Sequence, residues 1–378
     1  MELRKIISLI GFLTFLVVAS FLGIQNWVLP IAMIVVLSFL ILAIRKPRIA
    51  VLLIFFAKPM VDATWNFRVP VIGLNFLQIT GVAFPVIIFL IIYSNKINFP
   101  KFKAINTYAL FVFLNFISYI ASTVGRTETA IQGIAYFSQG IGVLFQFLNG
   151  FAAYLILPFL FASDREKKQL FWILILAGIF PVITGLLQIG GLMAGRTLRT
   201  TGELIRVSGF YYDSTNMRMY SFQTLLAIYV YFSMYYDPKD KFALFQKLLC
   251  FILVPAALLI IYKGYSKAAI GILLSWFLIY FIFQRKILLG ITSLSALAGL
   301  YVFTDTISSE TEKLLYKEIS YAEGNLPTEL QYTLLGGRFV YWGTALDDFS
   351  RQDLASQIIG YNYVNATNTH NDFLRILI

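Results

Sequence analysis

Histidine and cysteine are almost missing from this chain: each occurs once, as His370 and Cys250, in 378 residues. One imidazole and one thiol cannot assemble a zinc site of the usual N/S kind, and a lone cysteine inside an apolar run excludes a disulfide framework. Charge is scarce as well. Only 13% of residues are Asp, Glu, Lys or Arg, against roughly 25% in an ordinary soluble domain, while 59% are hydrophobic. With a mean hydropathy of +0.77, most of the chain has no aqueous destination. The short alternating segments of a membrane β-barrel are not seen.

What is present is a succession of apolar runs near 20 residues, the length that crosses a ~30 Å hydrocarbon core as helix. Eleven spans are predicted, at about 6–24, 28–44, 49–57 (a short one), 71–93, 104–122, 141–162, 170–192, 219–236, 248–262, 268–283 and 287–304. None contains Lys, Arg, Asp or Glu. A twelfth begins at His370 and is cut at Ile378, so the chain reads as truncated. The expected fold is an all-α, polytopic membrane bundle over 1–304, a large outer loop over 305–369, and the start of the next span over 370–378. The N-terminal MELRKIISLIGFLTFLVV resembles a secretory signal, but no small-residue cleavage site follows. It is read as the first retained helix, with its basic flank in the cytoplasm.

A net charge of +11 and a pI near 9.5 raise the question of nucleic acid as a partner. Orientation answers it. Alternating sides from a cytoplasmic N-terminus puts 16 of the 30 basic residues but only 5 of the 19 acidic ones inside, and the outer side sums to zero. The positive-inside rule absorbs the whole excess, and nucleic acid is not required. The long stretches then face outward: 58–70, 123–140, 193–218 and 305–369. In the last, Leu314, Leu315 and Ile319 stand at helical spacing, as do Phe339, Trp342 and Leu346, which predicts amphipathic helices on the outer membrane face. Membrane lipid is a partner by composition.

Arginine on that side works against orientation, yet GRTLRTTGELIRVSGFYYDSTNMR carries Arg196, Arg199, Arg206 and Arg218, and GGRFVYW carries Arg338. A guanidinium fork grips phosphate or carboxylate through two parallel bonds. Arg196, Arg199 and Arg218 lie at span ends, where snorkelling to headgroups is the expectation. Arg206 and Arg338 lie further out and are the better candidates for an anionic ligand. Gly209 and Gly336-Gly337 mark turns or close approaches, and Asp213 and Asn216 read as caps of the following span. Lys263 and Lys267 bracket a tight outer turn, either anchoring it or, for Lys267, adding to an anion site. Asp62 is a rival base without a second carboxylate beside it to hold a metal. His370 opens the last apolar run behind Asn368 and Thr369. A helix N-terminus keeps imidazole neutral, fit either to take a proton from a sugar hydroxyl or simply to sit satisfied at the interface.

The ordered set RVSGFYYDSTN, YSKAAIG, GGRFVYWGTAL, IIGYNY and THNDFLRIL resembles the O-antigen ligase and polymerase superfamily over residues 200–378. The resemblance implies a GT-C-like, metal- and cofactor-independent glycosyltransferase of the bacterial inner membrane, with its site on the periplasmic face. Its donor would be a glycan on undecaprenyl pyrophosphate, and its acceptor another glycan or a lipid A core. A flippase and a chain-length regulator are implied partners. By the same resemblance Arg206 and Arg338 hold the pyrophosphate, His370 is the catalytic base and Asn371 orients loop or ligand. Where the family often has Ser-Arg, this chain has Ser266-Lys267, whose ammonium is a point charge in place of a bidentate fork. Polymerase, ligase and protein O-oligosaccharyltransferase differ only in acceptor. A flippase for lipid-linked glycans is the rival from another class, but the spans carry none of the mid-membrane ionisable groups such proteins generally keep.

Overall fold

In a computed structural model, the described residues are 38–64, 76–95, 105–124, 130–194, 200–201 and 204–327, with a few isolated positions between 343 and 357. Residues 38–45 are helical, and eleven further helices follow among the described residues. They are α1 (Pro47–Ala63), α2 (Phe76–Ser94), α3 (Ile105–Val124), α4 (Ala130–Leu160), α5 (Asp164–Ala177), α6 (Ile179–Ile189), α7 (Ser214–Val230), α8 (Ala243–Lys263), α9 (Lys267–Phe283), α10 (Ile287–Phe303) and α11 (Asp305–Ala322). A two-residue ribbon, β1 (Thr200–Thr201) with β2 (Leu204–Ile205), is antiparallel, pairing Thr200 with Ile205 and Thr201 with Leu204. A π-helical turn over Tyr231–Tyr235 extends α7.

Local chemistry sets where these helices begin. Proline stands in the first turn of α1, where its missing N–H costs nothing. Ser163 and Glu166 close a capping box on α5, Asp213 accepts from Thr215 N at 3.0 Å to cap α7, and Ser266 caps α9 through Ala269 N. The cap read at Asp213 is therefore present. Three boundaries differ from those read in the sequence. Helix α1 runs on through Ala63, α4 starts at Ala130, and the single span expected over 170–192 is two helices meeting at Gly178. The two extensions, 58–63 and 130–140, lie in sequence of mixed polarity, which hydropathy does not score as span.

Packing makes two cores. One joins 38–45, α1, α2 and α4 around Val51, Ile88, Ile91 and Ile156, all fully buried. The other joins α5, α6, α7 and α8 around Ile175, Met217, Ala257 and Ile260, and Tyr211 completes it from the loop before α7. The outside of α8, α9 and α10 is apolar: Phe251, Phe283, Leu288 and Phe303 are each at least 79% exposed. That surface suits hydrocarbon rather than water. Among the described residues, α5–α6 taken together (Asp164–Ile189) and α8 are long and apolar enough to cross a membrane. The pair α10–α11 makes a third only if a 94° bend is counted as one span. The first predicted span, 6–24, lies outside the described residues, as does most of the second.

The charged residues gather at two ends of this bundle. At the first, Arg48 pairs with Glu166 and donates to the Leu160 carbonyl at 3.0 Å, and Lys168 pairs with Asp240 at 2.9 Å. At the second, Lys58 pairs with Asp62, Lys263 with Glu310 and Lys267 with Glu318.

Candidate functional site

The second end is built on the tight turn between α8 and α9. The Gly264 amide closes α8 on Ile260 O at 2.9 Å, and Tyr265 follows with φ of 44°, a left-handed conformation that bulky side chains rarely adopt. Its ring is nonetheless buried with Leu204 of β2 and Leu314 of α11. The Lys263 ammonium donates to the Tyr265 hydroxyl at 3.2 Å and to Glu310 of α11. Lys267, at the start of α9, donates to Glu318, two turns further along α11. Burial opposes ionisation of Glu310, but the bonds from Lys263, Tyr265 and Tyr262 together outweigh it and hold the carboxyl below its ordinary range.

Against the same turn lies the loop expected to carry the anion-binding arginine. Val207 N bonds to the Lys263 carbonyl at 3.2 Å, and Ser208 N and Gly209 N both bond to Gln188 Oε1 of α6, at 2.9 and 2.7 Å. These anchors set Arg206 beside the turn, half-buried and near enough for its charge to act on Arg218. Gly209 is required here: its φ is 56°, and a Cβ would lie 2.8 Å from Met217 Cε.

Arg218 corrects an expectation. It does not snorkel to headgroups but is buried at 9% exposure in the first turns of α7. Its Nη1 donates to Gly264 O and to Ser214 Oγ, and its Nη2 to Thr215 Oγ1, all at 3.0 Å. A side chain at Gly264 would meet Arg218 Cδ at 2.6 Å, so the glycine admits the guanidinium. The rim position was legible, but the carbonyl that draws the side chain inward belongs to a residue 46 positions away.

Asp62, the rival base, is buried at the end of α1, where it accepts from Lys58 and from the Tyr220 hydroxyl of α7. Tyr211 packs its ring 5.5 Å from that of Tyr220. Burial, then the Asp62 charge, raises the Tyr211 phenol well above its ordinary range. This cluster joins α1 to α7. Tyr220 was not legible as a partner of Asp62, because it is 158 residues away.

Of the residues singled out in the sequence, the fold brings Arg206 and Lys267 to one end, around the Lys263–Ser266 turn. Arg338, His370, Asn371, Arg196 and Arg199 lie outside the described residues, as do Phe339, Trp342 and Gly336-Gly337. The residues that sequence reasoning missed are Glu310 and Glu318. Their eight-residue spacing on one face of a helix was the available signal. No protein-family model, curated protein or solved structure matches the chain.

Proposed function

We propose that this protein is a membrane glycosyltransferase that moves a glycan from undecaprenyl pyrophosphate to an acceptor sugar hydroxyl at the outer face of the bacterial inner membrane, as an O-antigen or exopolysaccharide polymerase. The observation that carries the reading is the gathering of Arg206, Lys263 and Lys267 at one end of an apolar helical bundle. The ordered resemblance of residues 200–378 to the O-antigen ligase and polymerase superfamily supplies the donor and the roles.

The chemistry follows from the donor. Diphosphate is already a good leaving group, so the protein mainly positions two sugars and absorbs the charge that develops. Fixed cations in a partly dry site stabilise that charge before reaction begins. Arg206 and Arg338 hold the diphosphate, Lys267 adds a further cation, and Asn371 orients the loop or ligand. His370 takes the proton of the acceptor hydroxyl as it attacks the anomeric carbon, the C–O bond to diphosphate breaks, and the configuration inverts.

Transfer of lipid-linked glycan by the full-length protein tests this. His370→Ala is expected to slow polymer formation by about 10²–10⁴-fold, the usual share of a general base. Arg206→Ala is expected to raise the donor concentration needed for half-maximal rate. Polymer of undiminished length and rate from His370→Ala would remove the histidine from the chemistry. Product attached to a lipid A core or to protein, in place of a lengthened repeat, would make the enzyme a ligase.

A further inference from the structure

The two ion pairs that hold α11 have an unusual economy. Each carboxylate gives one oxygen to a lysine and buries the other, and Glu318 Oε1 is left with no hydrogen-bond partner. Burying an acceptor without a donor is costly, so α11 is poorly satisfied at Glu318, whereas the Glu310 charge is favoured where it docks by Lys263 with the Tyr265 and Tyr262 hydroxyls. Its apolar grip is small as well. Leu314 is the one large apolar residue of α11 that is fully withdrawn, seated on Leu204, Tyr265 and Ile270. Elements held by so few buried contacts are the ones that open first. A hinge is in place, because Thr304 alone separates α10 from α11 and the two axes meet at 94°. The turn beneath is strained at Tyr265.

We propose that Lys263, Tyr265 and Lys267 form a diphosphate seat that α11 fills with its own carboxylates, and that a lipid-linked diphosphate displaces Glu310 and Glu318 and releases the helix. This rests on the function proposed above and adds to it two residues and a gate. The lysines meet two separate monocarboxylates, each bonded through a single oxygen. A diphosphate offers both ammonium groups several acceptor oxygens on one multiply charged body, and charge-assisted bonds to it are the stronger. Glu318, released to water, recovers donors for the oxygen left without them. Docked, α11 keeps the lysines from stray anions. Displaced, it uncovers the loop that carries Arg206.

The single native thiol makes the test direct, since Cys250 is buried in α8. Leu314→Cys in the full-length protein, reconstituted in vesicles, reports release of α11 through its rate of reaction with a maleimide. Leu204→Cys, on the opposing surface, serves if that variant does not fold. Undecaprenyl pyrophosphate is expected to speed labelling by about tenfold, and Glu310→Gln with Glu318→Gln to do so without any ligand. Inorganic pyrophosphate added instead shows whether the headgroup suffices or the lipid is needed, and acceleration by either supports the seat. Labelling that neither the double substitution nor either diphosphate changes would overturn it. Polymer formation is scored on the parent chain. A protein that makes polymer but shows no acceleration loses the gate and keeps the activity; one that accelerates but makes no polymer does the reverse.

Discussion

A buried guanidinium is tolerated only where its donors are used, and Arg218 uses Nη1 twice and Nη2 once on groups from two separate segments. The first turns of a helix are also an unfavourable place for a cation, since the dipole there is positive. Its presence is explained by the Gly264 carbonyl, which would otherwise end α8 unpaired. Arg218→Ala should therefore cost about 1–3 kcal/mol, the penalty of leaving a buried acceptor without its donor, seen as a lower unfolding midpoint in detergent. Arg218→Lys should recover only part of that loss, because one ammonium cannot reproduce the fork that reaches both Gly264 O and Thr215 Oγ1. An unchanged midpoint in Arg218→Ala would return the residue to the headgroup role that its sequence position suggests. Residue type and rim location were legible here. Direction was not, because it depends on a contact across 46 residues.

At the scale of the element, α11 shows what periodicity can and cannot tell. Leu314, Leu315 and Ile319 mark its apolar stripe correctly, and the helix is present. Part of that stripe serves a different surface from the one expected: Leu314 packs on Leu204 and Tyr265, while Ile319 stays 37% exposed. A hydrophobic stripe states that something covers it, not whether the cover is lipid or protein. The charged face carries the new information, and it makes docking depend on pH with a definite sign. Docked Glu310 is held below its ordinary range, where released Glu310 returns to about 4.3. The pair's contribution is thus complete at neutral pH and is lost as pH falls through the depressed value of the docked carboxyl. Hydrogen exchange of the α11 amides, corrected for the intrinsic rate, should show protection that is level from neutrality down to about pH 5 and falls below it. In Glu310→Gln that fall should shrink. A variant that keeps the full pH response would assign it to some other group.

For the whole molecule, the partition of charge drawn from span counting meets an independent check in the fold. A miscount by one span between two partners would set them on opposite ends of the bundle. Yet Arg48 meets Glu166, Lys168 meets Asp240, and Asp62 meets Tyr220 at the head of α7. These contacts, with Lys263 to Glu310, agree with the parity of the count, while the helices long and apolar enough to cross number two, or three with the bent pair, among the described residues. Parity depends only on which charged turns meet. Span length does not, because helices such as α9 reach only 17 residues of apolar sequence, about 25 Å of rise. Which end faces the cytoplasm is then a single binary question, for which the charge bias predicts the first. Lys239 lies in the turn before α8 at that end and Glu323 just after α11 at the other, both exposed. An impermeant maleimide applied to spheroplasts should modify Glu323→Cys at once and Lys239→Cys only after lysis. The opposite pattern would put the Arg206 end in the cytosol, away from any donor presented on the outer leaflet, and the proposed glycosyl transfer would fail with it.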